Sequence, residues 1–116
     1  MYICRVKKIK AYKDYYKRFM ESLSERDRNK VLRSLLLFET EDRIPSHFIS
    51  YIEQGIYEFR VTCSDRKEIR IFFIYDSDGT IVVILLNAFL KKTQKTPRSE
   101  IEKAIRLKSE YYEERE

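Results

Sequence analysis

The run Thr80–Phe89, TIVVILLNAF, constrains the fold more than any other part of this chain. From Ile81 to Leu86 it is aliphatic without a break, so both faces of a strand built from it need an apolar neighbour. As a membrane helix it would be far too short, since crossing a bilayer takes about 20 apolar residues. It therefore belongs in the middle of a sheet, with cover on both sides. The turn-forming SDGT leads into it. Before that come two more segments with strand-like alternation, GIYEFRVTC and KEIRIFFIYD.

Side chains alternate along a strand, so these two segments each divide into two sets. Tyr57, Phe59, Val61 and Cys63 form one apolar set, and Ile69, Ile71, Phe73 and Tyr75 form its partner. Glu58 and Arg60 fall on the other face of the first strand, and Glu68 and Arg70 on the other face of the second. A three-residue link, Ser64-Asp65-Arg66, pairs Cys63 with Lys67 and sets Arg60 directly opposite Arg70. A slip of one residue would send an apolar set to the wrong side. Like charges placed directly opposite destabilise a sheet. Either the two arginines are solvated with Glu58 between them, or they form an anion site on a rigid sheet with a carboxylate beside it.

Before Gly55 the chain supplies mainly helical packing. Met1–Val6 is a short strand candidate that would neighbour the apolar third strand. Lys7, Lys8, Lys10 and Lys13 make a basic edge that is either solvated or, at Lys8 and Lys10, in contact with phosphate. From Tyr12 the period changes. Tyr12, Tyr15, Tyr16, Phe19, Met20 and Leu23 recur at helical spacing as one apolar stripe. Ser24 is placed as an N-cap with Asp27 in the capping-box position. Val31, Leu32, Leu35, Leu36 and Phe38 mark the buried side of a second helix, and the short link between the two helices predicts an antiparallel hairpin on the sheet. Ile44-Pro45-Ser46 breaks that helix, and Ser46–Glu53 is a further short helical candidate with Gln54-Gly55 as its stop.

After the third strand comes LKKTQKTP, with Lys91, Lys92 and Lys95 and no acid. Thr96 suits an N-cap and Pro97 a first helical position. Ile101, Ala104 and Ile105 then give a closing helix one apolar face, with 113–116 as a charged, frayed end. Asn87 interrupts the apolar strand, as a satisfied polar residue at the sheet rim or as a substrate contact.

The 116 residues fit one domain. Charged residues at 37% and apolar residues at 43% exclude a disordered chain. The net charge of +5 falls mainly in residues 1–18 and around the sheet and its lysine loop, which is compatible with a polyanionic partner. Cys4 and Cys63 are expected to be reduced core thiols. The N-terminus has no apolar signal segment, so a cytoplasmic protein without membrane contact is expected.

Several kinds of chemistry find no support. No Cys/His cluster has metal-ligand spacing. Two glycines cannot build a phosphate-cradling loop, and no cofactor motif is present. His47, the single histidine, has no polar partner in spacing. Asp76 is not brought to Glu58 by any pattern. What remains is the cation set. Arginine forks match phosphate oxygens, and lysine serves as point charge or proton carrier. Such an array suits cleavage of RNA by the 2′-hydroxyl, whose transition state gathers charge on the phosphoryl oxygens.

Three groups of residues carry a resemblance. They are Tyr57-Glu58-x-Arg60 with Arg70-Ile71, then Phe89-x-Lys91-Lys92-Thr93-x-Lys95-Thr96-Pro97, then Glu100-Ile101-x-x-Ala104. Together, with Ile44-Pro45 upstream, they resemble the RelE/HigB superfamily of toxins, nearest its HigB-like, phage-related branch. The resemblance implies an α+β, RelE-like fold over 1–116, with an N-terminal helical hairpin packed on a small twisted, mostly antiparallel sheet and a C-terminal helix. It implies a toxin of a type II toxin–antitoxin pair that enters the ribosome and cuts mRNA without a metal. Its partners would be the ribosome, mRNA and a small helix-turn-helix, HigA-like antitoxin. Carried over by position, Glu58, Arg60, Arg70, Lys91 and Lys92 become catalytic candidates, and Lys95, Asn87, Lys8 and Lys10 RNA-binding candidates. Family members often carry His-Gly-Phe at the end of the third strand. Here it is Asn87-Ala88-Phe89, which leaves lysine or Glu58 to move the proton. The same fold serves ParE-like toxins that bind gyrase, and an inactive antitoxin-binding partner is a third reading.

Overall fold

The computed structural model of the chain describes residues 7–41, 46–77 and 80–115. These described residues are α+β, with five strands and three α-helices. The strands are β1 (Lys8–Ala11), β2 (Ile49–Glu53), β3 (Ile56–Thr62), β4 (Glu68–Ser77) and β5 (Ile81–Lys91). The helices are α1 (Tyr15–Glu21), α2 (Glu25–Thr40) and α3 (Arg98–Arg115). The five strands form one sheet in the order β1-β5-β4-β3-β2. β1 runs parallel to β5, and every other pair is antiparallel.

β5 takes the interior place its composition demands, between β1 and β4. Two apolar layers cover the sheet. On one side Val31, Leu35 and Phe38 of α2 meet Phe59, Val61, Ile71, Phe73, Val83 and Leu85. Phe38 stacks on Phe59 at 5.3 Å between ring centres and leans on Phe73 at 5.4 Å. Burying each such ring contributes roughly 1.5–3 kcal/mol. On the other side Ile101, Ala104 and Leu107 of α3 meet Ile56, Phe72, Ile74, Ile84 and Leu86.

The β3–β4 register follows the alternation. Cys63 N–H donates to the Lys67 carbonyl at 2.8 Å, and Arg60 lies opposite Arg70. Asp65 and Arg66 turn the chain at φ 60° and 59°. Two non-glycine residues in that region need external support. Asp27 supplies it: this buried residue accepts from Ser64 Oγ at 3.0 Å and lies 3.6 Å from Lys67 Nζ. The Asp27 backbone N–H also donates to Ser24 Oγ at 3.2 Å, so Ser24 is the N-cap of α2.

The N-terminal half departs from the expected helical hairpin. α1 has seven residues and rests on β1 and β5, whereas α2 packs on β3. The tyrosine stripe is also divided. Tyr16, Phe19, Met20 and Leu23 join the α2-side core, but Tyr12 and Tyr15 pass around the sheet edge to the α3 side. On α2, Val31, Leu35 and Phe38 are buried while Leu32 and Leu36 are exposed. The basic edge is itself β1, because Ile9 turns inward between exposed Lys8 and Lys10. The strand candidate Met1–Val6, Cys4 and the Ile44-Pro45 break lie outside the described residues.

Ser46–Glu53 is not helical beyond one 3-10 turn at Ser46–Phe48; Ile49–Glu53 is the edge strand β2. Gln54 and Gly55, at φ 51° and 78°, form the two-residue turn that joins β2 to β3. Positive φ at both central residues suits the twist of a hairpin. A Cβ on Gly55 would also fall 2.9 Å from Lys108 Nζ. At the other terminus the helix runs on through Arg115, where a frayed end was expected, because Arg115 and Tyr111 both bond Asp76. No helix among the described residues is long and apolar enough to cross a membrane.

Candidate functional site

The side chains on the α3 face of the sheet fall into rows across the strands. Ile56, Phe72, Ile74, Ile84 and Leu86 lie beneath α3 and are apolar. Farther along come the rows Ser50–Glu58–Phe72, Arg60–Arg70–Phe89 and Thr62–Glu68–Lys91. α3 begins at Arg98, and the polar rows lie past its start.

A β-bulge fixes where the helix starts. Ile71 faces Ala88 and Phe73 faces Leu85, so Leu86 and Asn87 together oppose Phe72. Bulges bend a strand and re-aim side chains. Here both residues reach the α3 side. Asn87 Nδ2 donates to the Glu100 carbonyl at 3.1 Å and to Glu100 Oε1 at 2.9 Å, in the first turn of α3. Asn87 is 2% exposed and ties β5 to that turn, so the structure gives it a packing place and no surface for RNA.

Glu58 is the centre of the polar rows. It is 2% exposed, and a lone carboxylate at that depth would be strongly disfavoured. It is not alone. Arg60 Nε donates to Glu58 Oε1 at 2.9 Å, and Arg70 Nε lies 3.3 Å from the same oxygen without hydrogen-bond alignment. Thr96 Oγ1 makes a long 3.5 Å contact with Glu58 Oε2. That hydroxyl therefore faces the carboxylate, and α3 opens at Arg98 with the Pro97 carbonyl accepting from Glu100 and Ile101. Arg60 Nη2 donates to Ser50 Oγ at 3.0 Å, and Arg70 Nη2 bonds Glu68 Oε2. The repulsion between opposed arginines is thus answered by a shared buried acid and one flanking acid.

The two guanidiniums are not equivalent. The Arg60 side chain is 39% exposed and the Arg70 side chain 7%. Arg60 can meet a ligand directly, while Arg70 forms the floor beneath it. Excess positive charge comes from the lysines, since Glu58 and Glu68 match the arginines. Lys91 and Lys92, with Glu68, Thr93 and Gln94, line a cleft of about 430 Å³. Lys91 faces Glu68 across β4–β5, yet no ion pair closes between them. Thr93 Oγ1 donates to the Lys95 carbonyl at 2.8 Å and tightens the loop. Among the described residues, none of Lys91, Lys92 and Lys95 has a carboxylate within 4 Å.

Glu58, Arg60, Arg70, Lys91 and Lys92 are therefore gathered at one end of the sheet, with Lys95 on the adjoining loop. Lys8 and Lys10 are not. Lys8 pairs with Val82, which faces Asp76, six residues along β4 from Arg70. At about 3.4 Å per residue that is about 20 Å. Sequence reasoning passed over Ser50, because β2 was taken for helix. It also passed over the tie from Glu68 to Arg70, although their alternation on one strand face was visible. Among the described residues no three His, Cys, Asp or Glu side chains cluster as a metal site would require.

The family model described as phage derived protein Gp49-like (DUF891) matches residues 18–109. No curated protein matches the chain.

Proposed function

Since this chain belongs to the phage-derived Gp49-like family, which is related to the toxins of toxin–antitoxin systems, we propose that it is a toxin that arrests translation by cutting ribosome-bound mRNA. The observation that carries the reading is the open end of the sheet. There Arg60 and Arg70 are held opposite one another on adjacent strands, beside a lysine-lined cleft that the closing helix leaves uncovered.

In this reading Arg60 contacts the scissile phosphate. The charge of Arg70 beneath it stabilises the phosphoryl oxygens as the ribose 2′-hydroxyl attacks. Its oxygen bonds to phosphorus, the P–O5′ bond breaks, and a 2′,3′-cyclic phosphate and a 5′-hydroxyl result. Solvent water takes the 2′-hydroxyl proton, Lys91 or Lys92 neutralises charge and gives a proton to the O5′ leaving oxygen, and solvent then restores the lysine's proton. Glu58, beneath the surface and engaged by Arg60, is a positioning residue. Its role is to hold two like charges at a fixed separation before substrate arrives. Lys95 tracks the RNA backbone. Cover of this face by an antitoxin segment would silence it.

Induced expression followed by primer extension on cellular mRNA tests the proposal. New 5′ ends at ribosome-occupied codons are expected. Arg60→Ala should abolish them; because it takes a cation from buried Glu58 it should also lower the melting temperature, so cleavage is compared where circular dichroism shows the variant folded. Arg70→Lys should lower cleavage by about a hundredfold, a loss of ~2.7 kcal/mol in transition-state stabilisation. Intact mRNA with accumulated DNA breaks would replace this reading with a gyrase-directed one. Full toxicity of Arg60→Ala would remove the arginines from the mechanism.

A further inference from the structure

We propose that the groove between α2 and β3, on the opposite face of the sheet from Arg60 and Arg70, docks an acidic amphipathic segment of a partner protein. The inference does not rest on nuclease activity. The groove measures about 420 Å³, and Lys30, Arg33, Leu37, His47, Phe48 and Val61 are among its lining residues. A smaller cavity of about 20 Å³ lies over Leu37, Phe48 and Phe59.

Helical geometry explains the arrangement. At 3.6 residues per turn, Lys30, Arg33, Ser34 and Leu37 share one flank of α2, next to the stripe of Val31, Leu35 and Phe38 that enters the core. Lys30 and Arg33 stand at the rim, exposed. Three cations nearby are engaged: Arg28 donates to the Met20 and Leu23 carbonyls, Arg18 pairs with Asp14, and Lys67 reaches Asp27. Among the described residues Lys30 and Arg33 have no carboxylate within 4 Å. The floor between them and the sheet is apolar, with Leu37 46% exposed. One exposed leucine is ordinary. A leucine and a phenylalanine sharing a concavity under a cationic rim form a surface with two requirements, apolar anchors below and negative charge above.

A protein segment meets both requirements, as in helix-in-groove recognition. Nucleic acid meets only the second. It would leave Leu37 without an apolar partner.

Panning a phage-displayed random-peptide library on the whole protein supplies the probe. Recovered peptides are labelled with fluorescein and followed by anisotropy. They should be rich in Asp and Glu around spaced Leu, Ile or Phe. Their Kd should rise about tenfold or more with Arg33→Glu and with Lys30→Glu, which is ~1.4 kcal/mol or more. Peptides carrying Lys for Glu should regain binding on Arg33→Glu, and Arg60→Gln should leave binding unchanged. Leu37→Ser weakens binding without altering charge, and is the second variant if a charge reversal lowers the melting temperature. The proposal fails if no peptide is enriched, if recovered peptides lack acid, or if Arg33→Glu and Leu37→Ser leave binding unmoved. It also fails if a single-stranded RNA oligonucleotide binds the protein and loses that binding on Arg33→Glu, which would assign the groove to nucleic acid.

Discussion

The two ends of the α3 face hold the same kind of ionic contact and use it differently. At one end Asp76 accepts from Tyr111 Oη at 2.6 Å and from its neighbour Ser77 N–H at 2.7 Å, and it pairs with Arg115. Tyr112 Oη donates to the Tyr75 carbonyl at 3.3 Å. Each of these donors except Ser77 comes from the last turns of α3. One acid is therefore matched to several donors, and the helix is closed onto the strand. At the other end Glu58 is shared by two arginines, of which Arg60 stays 39% exposed beside the lysine-lined cleft. A half-exposed guanidinium next to lysines without acidic partners is what an anionic ligand needs. A helix with further turns at its N-terminal end would have converted that end into a second clasp.

The largest expected effect lies at the open end. Glu58→Gln keeps the shape but leaves Arg60 and Arg70 facing each other without their shared charge. Removing one member of a buried ionic group costs about 3–5 kcal/mol. The melting temperature should fall steeply, and inorganic phosphate should raise it more in the variant than in the wild type, because an anion can take the place of the carboxylate. Equal melting of the two proteins would show that the arginines are held apart by the backbone alone, and the distinction between the two ends would weaken.

The open end was more legible in the sequence than the rest of the chain. Alternation in two segments, a three-residue turn and an unbroken aliphatic strand fix β3, β4 and β5 and, with them, the opposition of Arg60 and Arg70. Those signals are local. The misread parts depend on tertiary context. ISYIE has a strand's alternation, but as an edge strand next to a 3-10 turn it was outweighed by the helical character before it, and Gln54-Gly55 signals a stop for a helix as well as a hairpin. Asn87 showed only as a polar interruption, because a bulge, which no residue type announces, decides that it points at α3. Leu32 and Leu36 fit the helical period but lie on the flank that no strand reaches. Asp27 was visible as a capping residue, and its second task at the Asp65-Arg66 turn needs two elements far apart in sequence.

A smaller effect is expected at the closed end. Asp76→Asn removes the charge that Tyr111 and Arg115 engage, at a partly solvated site, for a loss of about 1 kcal/mol. The effect should depend on pH, and its sign follows from the direction of the shift. The Tyr111 hydrogen bond first, then Arg115 and Ser77 N–H, hold the Asp76 carboxyl below its usual range against the opposing effect of burial. A carboxyl depressed in the folded state contributes stability that is full above its unfolded pKa and is lost as pH falls through the folded one. Urea melts at neutral pH should separate wild type from Asp76→Asn, and melts below the ordinary carboxylate range should bring them together. The alkaline side has its own marker. Burial, then the bond to Asp76, pushes the Tyr111 phenol up to about 12. Its contribution is full below the ordinary tyrosine value and is lost as pH rises toward 12. A gap between wild type and Asp76→Asn that persists in acid would mean that the carboxylate charge is not what closes this end.

The smallest effect belongs to the lysines, and it separates binding from stability. Lys92 is exposed, and among the described residues it has no carboxylate within reach, so Lys92→Ala should change unfolding free energy by less than about 0.5 kcal/mol. Under the nuclease reading its loss should still be measurable in binding. Each phosphate contact on single-stranded RNA contributes about 0.7 to the slope of log affinity against log salt. Titrating a short RNA at several salt concentrations should show that slope reduced by about this amount in Lys92→Ala. Lys8→Ala, about 30 Å away by strand rise, should leave it unchanged. The pair of variants compares the open end with the β1 edge using charges of the same kind. If both substitutions flatten the slope equally, RNA is attracted to the +5 charge of the molecule as a whole and the open end holds no local site.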